Sequence, residues 1–335
     1  MKSTGYDIAL VGATGLVGAT LLRILEERNV PVRHLRLFAS ARSAGAEVGA
    51  LGRMWAVREI PADADAFADV DLAFFAAGES VSRRFAASLA QRGTLVIDKS
   101  AAFRLERDVP LIVPEVNLAS AVDARLIANP NCSTIPLAVA FNVIQRDFGL
   151  RRLSLSTYQS ISGAGREALA EFEQQLRGGH ASGVLPRRSA GNVFPEVGPF
   201  DENGDSDEER KIALELNKIL GLDHVPVSAT TVRVPVAVGH SEAVAFETVR
   251  PATRQAIAAA FAASPGVRFG DGANYMTPGE AAGSDDVFVG RLRADKAHAG
   301  GFLAWIVCDN LRKGAATNAV QIAEALLARR LSVTA

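Results

Sequence analysis

Two cysteines, Cys132 and Cys308, and five histidines, at positions 34, 180, 224, 240 and 298, are the side chains best suited to nucleophilic and acid/base work in this 335-residue chain. Cys132 lies in "ANPNCSTIPLAV" (128–139), between an Asn-Pro-Asn turn and an apolar run with helical spacing. A thiol at a helix N-terminus meets oriented amides and the positive end of the helix dipole, which favour the reactive thiolate. Cys308, inside "FLAWIVCDN" (302–310), reads as core. His240 follows the strand-like "ATTVRVPVAVGH" (229–240) at a Gly-His turn between two strands, a loop position suited to a proton donor or acceptor. The alternatives are a buried structural thiol and a hydrogen-bonded structural histidine.

A second group of residues has the spacing of a nucleotide site. Gly12, Gly15 and Gly18 form G-x-x-G-x-x-G with Thr14, Leu16 and Val17 between them, at the junction of a strand and a helix. Backbone amides there can hold a pyrophosphate. An NAD-preferring site carries an acid about 20 residues further on. Here Ser40, Arg42 and Ser43 in "ASARSAG" (39–45) offer a cation and hydroxyls instead, a set that fits the 2′-phosphate of NADP.

The elements that must position these residues follow from periodicity. Apolar runs at 7–12, 33–39, 71–77 and 94–98 read as strands, and 16–28 and 80–92 as helices between them, the pattern of a parallel Rossmann-type sheet. Beyond residue 130 helices are expected at 138–148, 164–177, 207–220 and 251–263. Strands are expected at 152–160, 225–236, 242–250, 287–293 and 302–308, and 178–206 reads as a long loop. The expected class is α/β, a Rossmann-type domain followed by an α+β domain with a mixed sheet. The last segment, 310–330, reads as a helix.

Composition narrows the function. A net charge of −1 gives no basic excess for nucleic acid, and no apolar run reaches membrane-spanning length. Two cysteines suit a reducing, cytoplasmic setting, and no His/Cys/Asp/Glu cluster has metal-ligand spacing. A small-molecule substrate is expected.

The chain resembles the aspartate-β-semialdehyde dehydrogenases nearly end to end. The resemblance is carried by "GATGLVG" (12–18), "SARSAG" (40–45), "FRLERDVPLIVPEVN" (103–117), "ANPNCSTI" (128–135), "STYQSISGAG" (156–165), "VSATTVRVPVAVGHSEAV" (227–244), "DDVFVGRLR" (285–293) and "DNLRKGAATNAVQIAE" (309–324). It implies that Cys132 is the acyl-accepting nucleophile, with Asn131 shaping the site, Gln159 orienting and His240 as acid/base. It further implies that Arg233 binds the substrate carboxylate, Glu208 its ammonium, Arg104 and Lys211 its phosphate, and that Asn310 lies near the nicotinamide. The resemblance also implies an NADP-binding domain over 1–128, completed by the C-terminal helix 310–335, a catalytic and dimerisation domain over 129–309, and a homodimer using inorganic phosphate.

Physical chemistry supports these roles. An arginine fork matches a carboxylate bidentately. Residues 208 and 211, three apart on a helix, share a face; their plain alternative is a surface ion pair. The chain departs from the family at Lys99 and Ala101 in "DKSAAFR" (98–104) and at Ala46. A paralogue acting as a binding protein and an N-acetylglutamyl-phosphate reductase-like enzyme are the alternative readings. Glu208 discriminates against the second, since an acetylated amine carries no positive charge.

Overall fold

The computed structural model describes residues 5–180, 183–222 and 225–333 and divides into two compact units, residues 1–130 with 315–335 and residues 131–314.

Unit 1 is built on a seven-stranded sheet. Its elements are β1 (Tyr6–Val11), α1 (Leu16–Glu27), β2 (Val32–Ala39), β3 (Glu47–Ala50), β4 (Arg53–Glu59), β5 (Leu72–Phe75), α2 (Glu79–Gln91), β6 (Leu95–Asp98), the short α3 (Pro114–Asn117) and β7 (Leu126–Ala128). The strand order is β3-β4-β2-β1-β5-β6-β7, parallel throughout except for β3 against β4. Strands β1, β5 and β6 are almost wholly buried, which is why they read as continuous apolar runs rather than alternating ones.

The β3–β4 hairpin and β7 are additions to the strands read from sequence. The hairpin turns on Leu51 and Gly52, both at positive φ (53° and 72°), a two-residue geometry that Asn-Gly or Asp-Gly would have announced.

Close packing explains the glycines that open the chain. Gly12 has φ 94°, and a Cβ there would lie 2.5 Å from the Ala76 carbonyl oxygen; one on Gly18 would lie 2.2 Å from the Gly12 oxygen. Only hydrogen at these positions lets α1 start this close to β1.

Unit 2 contains α4 (Thr134–Phe148), β8 (Leu150–Gln159), α5 (Arg166–Leu176), α6 (Asp207–Leu220), β9 (Val227–Arg233), β10 (His240–Thr248), α7 (Arg254–Ala263), β11 (Val267–Gly270), the short α8 (Pro278–Ala281), β12 (Val287–Ala294) and β13 (Gly301–Cys308). The sheet order is β11-β12-β13-β10-β8-β9. It is mixed: β8–β9 and β11–β12 are parallel, while β8–β10, β10–β13 and β12–β13 are antiparallel. Strand β11 was not legible in the sequence.

Along β10, His240, Glu242, Val244, Phe246 and Thr248 are buried and Ala243, Ala245 and Glu247 are half-buried. One face therefore packs on helices, with Phe246 against Phe141 of α4 and Phe261 of α7. The chain returns to unit 1 through a π-helical turn at Arg312–Ala316 and α9 (Thr317–Val333), whose Val320, Ile322 and Leu326 join the core of the first sheet. The expected helix at 310 thus starts irregularly.

Candidate active site

In unit 2 the topology brings three strand ends to one edge. Parallel β8 and β9 finish at Gln159 and Arg233, which are paired in register, and antiparallel β10 begins at His240. These side chains are 1%, 5% and 1% exposed, so all three are held inside the protein. Helix α4 begins at Thr134, two residues after Cys132, which is half-buried. Gly314 approaches it so closely that a Cβ there would lie 3.3 Å from the Cys132 Cβ.

Helix α6 supplies the acid. Ser206 and Glu209 form a reciprocal capping box, and the same Glu209 accepts from the Thr231 amide of β9 at 2.8 Å. The cap thus ties the first turn of α6, which carries Glu208, to the strand that carries Arg233. Glu208 accepts from Asn131 Nδ2 at 3.0 Å on both oxygens and from Gln159 Nε2 at 3.1 Å. Two turns on, buried Glu215 accepts the Asn131 backbone N–H at 2.7 Å, while Asn131 Oδ1 accepts from the Ser133 amide at 2.8 Å. Gln159 also donates to Ser133 Oγ at 3.0 Å. The residues on either side of Cys132 are therefore fixed by two carboxylates of one helix and by a strand end.

Arg233 Nη1 donates to the Ser160 carbonyl at 2.7 Å, and its Nε is buried without a partner among the described residues. Burial pulls its pKa down, opposed by the negative charges of Cys132 and Glu208. Beside it opens a cavity of about 430 Å³ lined by Ala164, Leu185, Glu196 and Pro199.

His240 Nδ1 accepts from the Ser160 amide at 3.0 Å, which in a neutral ring places the proton on Nε2. Gly163 lies against it, because a Cβ there would sit 3.0 Å from the ring and 3.1 Å from Arg233 Nη1. Asn310, 2% exposed, accepts from the Gly239 amide and from Ser160 and Ser162 hydroxyls, and donates back to Ser162. Its amide thereby ties Gly239, the neighbour of His240, to Ser160 and Ser162.

The remaining residues fall elsewhere. Lys211 pairs with Asp207, not Glu208. Arg104 belongs to unit 1, where its Nε donates to the Asn129 carbonyl at 3.0 Å and Nη2 to the Lys99 carbonyl at 2.7 Å; beside it, buried Asp98 accepts from Ser82 and Ser100. Also in unit 1, Gly15 caps α1 without a side chain, which leaves the first-turn amides to a ligand, and a 3₁₀ turn at Ala41–Ser43, capped by Ser40, follows β2 with Ser40 and Arg42 exposed and Ser43 half-buried. This turn and the uncapped helix fit a dinucleotide.

Among the histidines, His34 pairs with Asp7, His298 with Asp295, His180 is exposed, and His224 lies outside the described residues. Burial pushes the Cys308 thiol well above its usual range, with Glu242, Asp309 and Cys132 adding to the shift. Among the described residues there is no metal-ligand cluster, and no helix is long and apolar enough to cross a membrane.

Sequence reasoning missed Glu215, Ser160, Ser162 and Glu242. Glu215 carried a signal, being a polar residue on the buried stripe of α6 with Ile212, Leu216 and Ile219. Glu242, on the same face of β10 as His240, is fully buried with both oxygens unpartnered among the described residues, and burial holds its carboxyl well above the usual carboxylate range.

Comparison with known proteins agrees in both units. Residues 7–124 match the family model "Semialdehyde dehydrogenase, NAD binding domain" and residues 142–313 match "Semialdehyde dehydrogenase, dimerisation domain". The aspartate-semialdehyde dehydrogenases of Shewanella violacea and Legionella pneumophila are 44% and 45% identical, each over 97% of this chain and over 98% and 96% of their own. The structure of aspartate semialdehyde dehydrogenase II of Vibrio cholerae complexed with ASA superposes with a TM-score of 0.91 at 40% identity, covering 98% of this chain and 99% of that one. With both domain models matched and relatives alike over nearly its whole length, the chain belongs to the aspartate-semialdehyde dehydrogenase family of NAD(P)-binding oxidoreductases.

Proposed function

We propose that the chain reduces and dephosphorylates L-aspartyl-4-phosphate to L-aspartate 4-semialdehyde with NADPH, and in reverse oxidises the aldehyde with NADP and phosphate, as a cytoplasmic enzyme of aspartate-family amino-acid biosynthesis. The observation that carries this reading is the buried Arg233, with its unpartnered Nε, in electrostatic reach of both Cys132 and Glu208. A cation and an anion beside one thiol fit the carboxylate and ammonium of a zwitterion whose far end reacts.

In the proposed mechanism Cys132 thiolate attacks the acyl carbon, the C–O bond to phosphate breaks, and a thioester forms on the sulfur. When bound, a nicotinamide cofactor would supply the hydride that reduces this thioester. His240 holds the proton at the thiohemiacetal oxygen, and collapse returns the thiolate and frees the aldehyde. Asn131, which precedes Cys132, and Gln159, bonded to Ser133 on its other side, serve as donors to the oxyanion. Arg104 and Lys211 are each proposed as phosphate cations, and Asn310 as the residue that ties Gly239 to Ser160 and Ser162 beside the nicotinamide.

Residues 1–128 with 310–335 are proposed as the NADP domain, using Gly12, Thr14, Gly15, Leu16, Val17 and Gly18 for the pyrophosphate and Ser40, Arg42 and Ser43 for the 2′-phosphate. Residues 129–309 are proposed to carry catalysis and dimerisation. The face of the second sheet opposite Phe246 supports a homodimer: the Tyr158 and Trp305 rings lie there with centroids 5.5 Å apart, beside Ser154, Ser156, Ala243 and Ala245, none of them fully buried, and a second copy can cover them. Neither cysteine is in a disulfide among the described residues, which suits a reducing compartment.

The test is phosphate-dependent reduction of NADP by L-aspartate semialdehyde. Wild type turns over and Cys132→Ser loses at least about 10³-fold in kcat. No wild-type turnover, or faster turnover of N-acetylglutamate semialdehyde, contradicts the reading.

A further inference from the structure

Glu208 makes its hydrogen bonds to the two side-chain amides that flank the nucleophile. Asn131 Nδ2 reaches both carboxyl oxygens at 3.0 Å, and Gln159 Nε2 reaches Oε1 at 3.1 Å. A carboxylate offers about four lone-pair sites, so these three contacts leave about one. A substrate ammonium brings three N–H donors and a full charge. To take two bonds from Glu208 it must displace at least one amide.

We propose that Glu208 couples recognition of the substrate amine to readiness of the catalytic site: the arriving ammonium takes over its lone pairs and frees Asn131 and Gln159 to donate to the reacting acyl oxygen. The proposal rests on the reading of Glu208 as the amine site.

Three features favour this division of labour. Asn131 is held independently by Glu215 on its backbone N–H and by Ser133 on its Oδ1, so releasing Nδ2 does not loosen the turn before Cys132. Gln159 keeps its bond to Ser133 Oγ, which anchors the side chain when Glu208 lets go. Glu208 itself sits in the first turn of a helix whose capping box and tie to Thr231 fix its backbone. The acid and both amides are thus on rigid supports, and the exchange needs only a change of hydrogen-bond partner.

The consequence is specificity expressed in kcat as well as in KM. A substrate of the same length without the amine leaves both amides on Glu208, and its oxyanion lacks their help.

The experiment compares L-aspartate semialdehyde with its des-amino analogue, 4-oxobutanoate, in the phosphate- and NADP-dependent oxidation, measuring kcat and KM separately. In wild type the analogue is expected to lose about tenfold or more in kcat, the worth of roughly one hydrogen bond, beyond its loss in KM. Glu208→Ala, which removes the competing acceptor, raises kcat for the analogue above the wild-type value by about fivefold or more on the same basis, while KM for L-aspartate semialdehyde rises. Glu208→Gln keeps the volume and one acceptor oxygen and falls between, and thermal melting of both variants checks that they fold.

A wild-type deficit confined to KM, or an analogue kcat in folded Glu208→Ala no higher than wild type, overturns the coupling. In that case a raised KM for L-aspartate semialdehyde still upholds the amine site. An unchanged KM for L-aspartate semialdehyde in Glu208→Ala overturns the amine site itself, and the coupling with it.

Discussion

The two units meet ligands in opposite ways. In unit 1 the proposed cofactor contacts come from a backbone turn at 12–18 and an exposed loop at 40–43, both contiguous in sequence and shaped by the absence of side chains at Gly12 and Gly18. In unit 2 the site is assembled from residues 131, 132, 159, 208, 233 and 240, most of them buried, with 131 and 159 both bonded to 208 and with 233 and 240 both bonded to Ser160. A backbone turn is sensitive to added volume and indifferent to chemistry. A hydrogen-bonded side-chain network is sensitive to chemistry at nearly constant volume.

Substitutions can break that contrast. After loss of the nucleophile itself, the largest effect is expected for Arg233→Lys, which keeps the charge and loses the fork: kcat/KM should fall about 10²-fold, from loss of charge-assisted hydrogen bonds of roughly 1.5–3 kcal/mol. A fall of less than about threefold would show that charge alone suffices there.

Gly18→Ala adds one methyl group where 2.2 Å is available. It should destabilise unit 1 by about 1–3 kcal/mol, seen as a lower melting temperature and a raised KM for NADP with little change in KM for the aldehyde. A variant as stable as wild type would mean the turn yields.

Smaller again is Arg42→Ala, expected to raise KM for NADP about tenfold and leave KM for NAD unchanged, since only one exposed charged contact is lost. An equal change for both cofactors would remove Arg42 from 2′-phosphate binding.

Least in size, and sharpest in sign, is Glu242→Gln. Burial raises the folded-state pKa of Glu242 above its usual 4.5, so the proton it keeps on folding contributes stability below that pH, and this is lost as pH rises toward the folded value. Glu242→Gln removes this dependence. Its melting temperature should gain on wild type as pH is raised from about 5 to 8, and parallel curves would contradict a neutral buried acid.

How much could be read in advance follows the same contrast. The parallel strands and the glycine turn were legible because each is a local pattern, and so was α6, whose Ile212, Leu216 and Ile219 have helical spacing. Strands β3 and β4 were not, since Leu51-Gly52 lacks the usual hairpin chemistry, nor was β7, only three residues long. In the site, Cys132 and His240 stood out by position, while Glu208, Lys211 and Arg104 were singled out only by family resemblance. The bonds that give Glu208 its setting join residues 49 and 77 positions apart, and no local pattern encodes them. Glu215 and Glu242 look like ordinary charges until burial reveals them. Lys211 shows the limit of spacing arguments: it shares a helix face with Glu208 and yet pairs with Asp207.

The most direct test of the account is to mix the enzyme with L-aspartate semialdehyde and NADP in the absence of phosphate, and to follow NADPH while analysing the protein by mass spectrometry. The account predicts one NADPH per Cys132 and an aspartyl adduct on the Cys132 peptide that phosphate discharges. NADPH formation with no adduct on Cys132, or an adduct on another residue, would contradict it.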